Sequence, residues 1–111
     1  MRPNPSLLLL AAGLALTASG CASQTSGVCR DADAAMAARN YAGAVPLYGA
    51  CLAGPTLSPA ARADAHHKRG RAHMKAGRHD AALADFAVAR RLKPDHAGAH
   101  NSAAWVHYLR G

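Results

Sequence analysis

The stretch ADAHHKRGRAHMKAGRHDAALADFAVARRLKP, Ala63 to Pro94, decides how this chain is built. Two helical segments meet in it at Gly77. Upstream, Ser58-Pro59 offers a capping hydroxyl followed by a proline in the first turn, so a helix is predicted to start there. It is predicted to run to about Ala76 and to stop at Gly77, a glycine suited to a left-handed helix end. Downstream, His79 to Leu92 is the next predicted helix. Asp80 lies in its first turn and Arg90, Arg91 and Lys93 at its end, a charge order that suits the helix dipole. Pro94 ends it. Gly70, Ala82 and Ala89 are small enough to let two antiparallel helices approach closely, with Phe86 left to fill the wedge beside them.

The same pattern extends in both directions. Ala97 to Arg110 is predicted as a last helix, with Asp95 expected to cap it. Before the stretch, Val28–Ala38 and Tyr41–Leu52 are predicted helices, separated at Arg39-Asn40. Pro46 removes one backbone bond inside the second of these, and a kink is expected there. Gly54 to Pro59 is a clear break. No segment alternates in the two-residue period of a strand, and Ile is absent, so the class is all-α. The helices repeat. A shift of 34 residues lays Ala63 on Ala97, Ala65 on Ala99, His66 on His100, His73 on His107 and Gly77 on Gly111. A shift of 38 lays Ala44 on Ala82 and Tyr48 on Phe86.

Helix pairs at a period near 34 resemble the tetratricopeptide repeat. Gly70, Ala72 and Gly77 in one helix carry the resemblance, with Ala82, Phe86, Ala89 and Pro94 in the next. Arg69-Gly70-Arg71-Ala72 and Ala84-Asp85-Phe86 are similar to the bacterial form of the motif. His66 and His73, and again His100 and His107, stand where the family usually has aromatics; packing in those slots is their expected role. The resemblance implies a short right-handed helical-hairpin solenoid over residues 28–111, about two helix pairs plus a capping helix. Each pair is amphipathic and buries its face only against a neighbour.

In that family, first helices line a concave groove that holds an extended peptide. Carried onto this chain, the resemblance implies a partner-binding face of His67, Arg71, Met74 and Lys75, continued on the last helix by Asn101, Trp105 and Tyr108. Lys68, Arg71, Lys75 and Arg78 form a basic stripe at helical spacing, and Trp105, the one tryptophan, is a natural anchor. The occupant expected is a protein or peptide segment, acidic in character.

Length and composition narrow the field. At 111 residues the chain holds one domain at most. A net charge of +7 rests on thirteen Lys and Arg against six Asp, with no Glu. No phosphate-cradling glycine loop, nucleophile elbow or zinc-protease motif occurs. Asp31/Asp33 and Asp80/Asp85 are read as solvated carboxylates, so no catalytic residue and no cofactor is assigned. His66/His73 and His100/His107 are seven apart, about 10.5 Å along a helix, too far for one ion, and no metal site is assigned.

The first residues read as an export signal. Arg2 precedes the apolar run Leu7–Leu16, and small residues Thr17 to Gly20 lead to Cys21. The run is short of the roughly 20 apolar residues of a spanning helix. Ala18-Ser19-Gly20-Cys21 resembles a bacterial lipobox, with Ala18 where Leu is usual. This implies a signal peptide over 1–20, a lipid on Cys21 and a flexible tether over 21–27, whose polar part, Ala22 to Gly27, spans roughly 20 Å extended. Ala22, rather than Asp, implies the outer membrane, facing the periplasm.

Export gives the remaining features their meaning. A basic surface outside the cytoplasm is not expected to meet nucleic acid. With Cys21 lipidated, Cys29 and Cys51 remain as one pair, expected to be a disulfide between consecutive helices. The expected function is an envelope lipoprotein acting as a protein-interaction module, not an enzyme. The alternative is a binder of anionic envelope polymer or lipid through the basic face.

Overall fold

The structure, a computed structural model, describes residues 27–55 and 57–111. The expected export signal over 1–20, Cys21 and the part of the expected tether ahead of Gly27 lie outside the described residues. Among the described residues five helices follow one another: α1 over 27–37, α2 Tyr41–Ala53, α3 Pro59–Lys75, α4 His79–Leu92 and α5 Ala97–Arg110. No strand occurs among the described residues. α1 packs on α2, α2 on α3, α3 on α4 and α4 on α5, so the described residues form two helical hairpins followed by α5.

The helix ends follow local chemistry. Asn40 accepts a bond from the Gly43 amide at 3.1 Å to start α2. Ser58 accepts from the Ala61 amide at 3.1 Å, with Pro59 in the first turn of α3. α3 stops as predicted: Gly77 takes φ +82°, and the Arg78 amide reaches back to the His73 carbonyl at 2.8 Å. Arg62 donates to the Leu52 and Gly54 carbonyls at 2.8 and 3.2 Å, satisfying the end of α2 from α3. α2 continues as α-helix past Pro46, which is exposed.

One cap differs from the sequence expectation. His96, not Asp95, starts α5: its Nδ1 accepts from the Ala99 amide at 3.1 Å. The ring's other nitrogen, Nε2, faces Asp64 of α3 at 3.1 Å. One imidazole thus caps α5 and ties it to α3, which the Asp95 side chain, exposed, does not do.

The core is built mostly of alanine. One cluster is Ala32, Ala44, Tyr48 and Ala72; the other is Ala82, Phe86, Ala103 and Val106. Tyr48, Phe86 and Val106 are the largest fully buried side chains. Full burial of one such side chain contributes about 1.5–3 kcal/mol. α3 and α4 approach closely at Gly70, where a Cβ would lie 2.6 Å from Cε1 of Phe86.

Candidate functional site

α3 presents Asp64, Lys68, Arg71 and Lys75 at steps of three and four residues, so they share one face of the helix. At the α1 side of this face, a cavity of about 170 Å³ opens between the first hairpin and α3. Cys29, Tyr48, Cys51, Leu57 and Ala65 give it apolar walls, and Asp33, Asp64 and Lys68 also line it. Tyr48 donates its hydroxyl to Asp33 at 2.6 Å, and Lys68 Nζ lies 3.2 Å from the same carboxylate. Burial, then the bond to Asp33, pushes the Tyr48 hydroxyl above its ordinary pKa, so it stays a donor. The sulfurs of Cys29 and Cys51 lie 1.98 Å apart at the cavity wall, with Cα atoms 4.9 Å apart.

Further along α3, Arg71 and Lys75 are exposed, and neither has an ion-pair partner among the described residues. On α5, Trp105 and Tyr108 stack with centroids 5.2 Å apart and planes at 22°. Trp105 is 51% exposed and Tyr108 74%, an apolar pair left in solvent. Asn101 is exposed on the same helix, one turn before Trp105. Trp105 stands 34 residues after Arg71, the same place in the repeat.

Two of the expected groove residues are occupied elsewhere. His67 is partly buried between helices: its ring is 5.7 Å from Phe86 and 4.9 Å from His96, and Nε2 meets Ser102 Oγ at 3.0 Å. Burial, then the neighbouring His96 and Arg71, lowers its pKa to about 4, so it is neutral at pH 7. Met74 packs on the cluster of Ala82, Phe86, Ala103 and Val106. The outward-facing set is therefore Arg71, Lys75, Asn101, Trp105 and Tyr108, with the cavity beside Lys68.

A second polar cluster sits between α3 and α4, and it corrects the reading of Asp85 as solvated. Asp85 is 4% exposed. Arg69 grips it with Nε and Nη2, both at 2.8 Å, and His66 Nδ1 lies 3.0 Å away. Burial alone raises the pKa of this carboxyl, but the bonds from Arg69 and His66 outweigh it and hold Asp85 below the usual carboxylate range. His73 Nε2 is 3.9 Å from the same carboxylate, while its buried Nδ1 has no hydrogen-bond partner. Burial lowers the His73 pKa despite the pull of Asp85. His66, Arg69 and His73, at steps of three and four, share the α3 face turned to α4. Three polar groups on one packed face call for a buried acid, and that spacing was the signal available in the sequence.

The chemistry on offer is recognition: two free cations, an exposed aromatic stack, an amide and an apolar socket. Among the described residues no three His, Cys or Asp side chains converge to hold a metal ion. None of the described helices is long and apolar enough to cross a membrane. A family model described as tetratricopeptide repeat matches residues 29–97 and again 67–111. No curated protein and no solved structure matches the chain.

Proposed function

Because the chain belongs to the tetratricopeptide repeat family, a family of protein-interaction modules, we propose that it captures an extended acidic segment of a partner protein on the face shared by α3 and α5. The carrying observation is the Trp105–Tyr108 stack, exposed on α5 in the same repeat register as Arg71 and Met74 of α3. Arg71 and Lys75 supply the charge, and each charge-assisted bond to a carboxylate is worth roughly 1.5–3 kcal/mol when shielded. The cavity beside Lys68 is sized for one apolar side chain of the same segment. In this reading the lipid on Cys21 holds the module at the outer membrane, facing the periplasm, and Cys29 and Cys51 stay oxidised there.

The alternative, binding of anionic envelope polymer or lipid, draws support from Arg90, Arg91 and Lys93 at the end of α4, where no ion pair engages them among the described residues. Charge reversal separates the two. Arg71→Glu with Lys75→Glu is expected to abolish partner capture from native envelopes, and Arg90→Glu with Arg91→Glu to preserve it. Equal loss from both double variants, falling steeply with salt, hands the function to the polymer reading. Anchoring has its own test: Cys21→Ser should remove label from an alkyne fatty acid, and label kept on the Ser variant refutes the lipid.

A further inference from the structure

Termini of all five helices meet at one end of the module, and the chain enters there. The start of α1 lies against the end of α2, with the Cα atoms of Cys29 and Cys51 4.9 Å apart. The start of α3 is tied to the same place, since Arg62 donates to the Leu52 and Gly54 carbonyls. α5 starts beside α3, where His96 faces Asp64 at 3.1 Å. The end of α4 is one tight turn away, with the His96 amide bonded to the Lys93 carbonyl at 3.0 Å. Arg30, Arg91 and Lys93 are exposed at this end, Arg90 is half-buried, and Leu92 is 37% exposed among them. None of these four cations has an ion-pair partner among the described residues. The acids at this end are Asp31, Asp64 and Asp95, fewer than its cations, so the end is net positive.

Charge alone does not choose this end, because Arg39, Lys75 and Arg78 are exposed at the other. The length of the tether chooses. Cys21 precedes Gly27 by six residues. Six polar residues reach roughly 20 Å at full extension, and as a coil average about 12–15 Å. α3, at 17 residues, is about 25 Å long. A lipid on Cys21 would therefore keep the start of α1 near the bilayer, and the far end would reach it only with the tether drawn out. Resting on the lipid of the functional reading above, we propose that this end, through Arg30, Arg90, Arg91 and Lys93, lies on anionic phospholipid headgroups of the anchoring membrane. Headgroup charge attracts basic residues only within the screening length, about 8 Å at 0.15 M salt, and tethering makes that encounter intramolecular. Leu92 adds an apolar contact at the headgroup boundary. The helices then stand away from the bilayer, and the α3–α5 face with Arg71, Lys75 and Trp105 stays open to a partner. Arg90, Arg91 and Lys93 thus act beside partner capture rather than in place of it.

The test uses the chain as isolated from envelopes, isotope-labelled, on nanodiscs of phosphatidylcholine with or without phosphatidylglycerol and with a spin label on a headgroup. Broadening of backbone amides then reports nearness to the surface. With phosphatidylglycerol, residues 28–31 and 91–93 are expected to broaden severalfold more than residues 71–78. Arg91→Glu with Lys93→Glu, both exposed, should erase that difference, and Arg71→Glu with Lys75→Glu should leave it in place. The proposal is overturned if residues 71–78 broaden as strongly as 91–93 in the unaltered chain, or if discs of phosphatidylcholine alone give the same pattern. It also falls if the Arg91/Lys93 reversal changes nothing, or if the Arg71/Lys75 reversal acts as strongly. Mass analysis of the same sample separates the inference from its premise. A chain with no lipid on Cys21 overturns the anchor and this orientation together, while partner capture on the α3–α5 face stands.

Discussion

The two hairpins of this chain are held by different cross-links. In α1–α2, Cys29 and Cys51 bring the helices together at one end, and Tyr48 bonds Asp33 along the seam. In α3–α4, Phe86 lies against Gly70, and Arg69 with His66 grips the buried Asp85. In the proposed oxidised state the first hairpin is tied by Cys29 and Cys51, while the second is held by close packing and an ion-paired carboxylate. The first is thus expected to respond to reductant and the second to acid, although the family pattern is the same for both.

Phe86→Ala tests this contrast hardest. It empties the wedge beside Gly70 and is expected to cost about 3–5 kcal/mol in thermal or denaturant unfolding. A cost below about 1 kcal/mol would show that α3 and α4 do not rely on this contact. Reduction comes next. The cysteines are 22 residues apart in sequence, and loop closure of that length stabilises by roughly 3 kcal/mol. Hydrogen exchange should then speed up over 28–53 before it does over 59–92. Two alkylatable thiols in freshly isolated protein would refute the bond altogether.

Acidification gives the smallest effect and should fall on the second hairpin. His67 and His73 have pKa values lowered by burial, His67 to about 4. The unfolded chain takes up protons near the ordinary histidine value of about 6.5, while the folded one resists. The stability these rings contribute is therefore present above pH 6.5 and is lost as pH falls from there toward 4. Below that, protonation of Asp85, whose pKa is also lowered, removes the anchor of Arg69. Unfolding midpoints measured from pH 7 to 4 should decline with the α3–α4 amides exchanging first; a flat profile contradicts this.

Much of the fold was legible because its determinants are local. Ser58-Pro59, Gly77 and Pro94 punctuate the helices by backbone chemistry that a single sequence displays. The 34-residue shift then places equivalent helices without any knowledge of contacts. The site was harder to read because exposure is decided between helices. Arg71 and His67 lie four residues apart on α3, yet one is exposed and the other packs near Phe86 and His96. Asp80 and Asp85 look alike in sequence. Only the meeting of α3 and α4 buries Asp85 against Arg69, while Asp80 stays exposed and pairs with Arg110 at 2.7 Å. The cavity under Lys68 needs three helices and a loop to exist, and no one of them announces it.

The binding face can be read through its single tryptophan. An isotope-labelled chain titrated with an extended peptide of alternating Asp and apolar residues reports Trp105 by its indole N–H and the cations by their own signals. Binding on the α3–α5 face predicts that Trp105, Arg71 and Lys75 shift together and saturate, with Arg90 and Arg91 unmoved at 0.15 M salt, where the screening length is about 8 Å. A still Trp105 indole, or Arg90 and Arg91 shifting as far as Arg71, would contradict it.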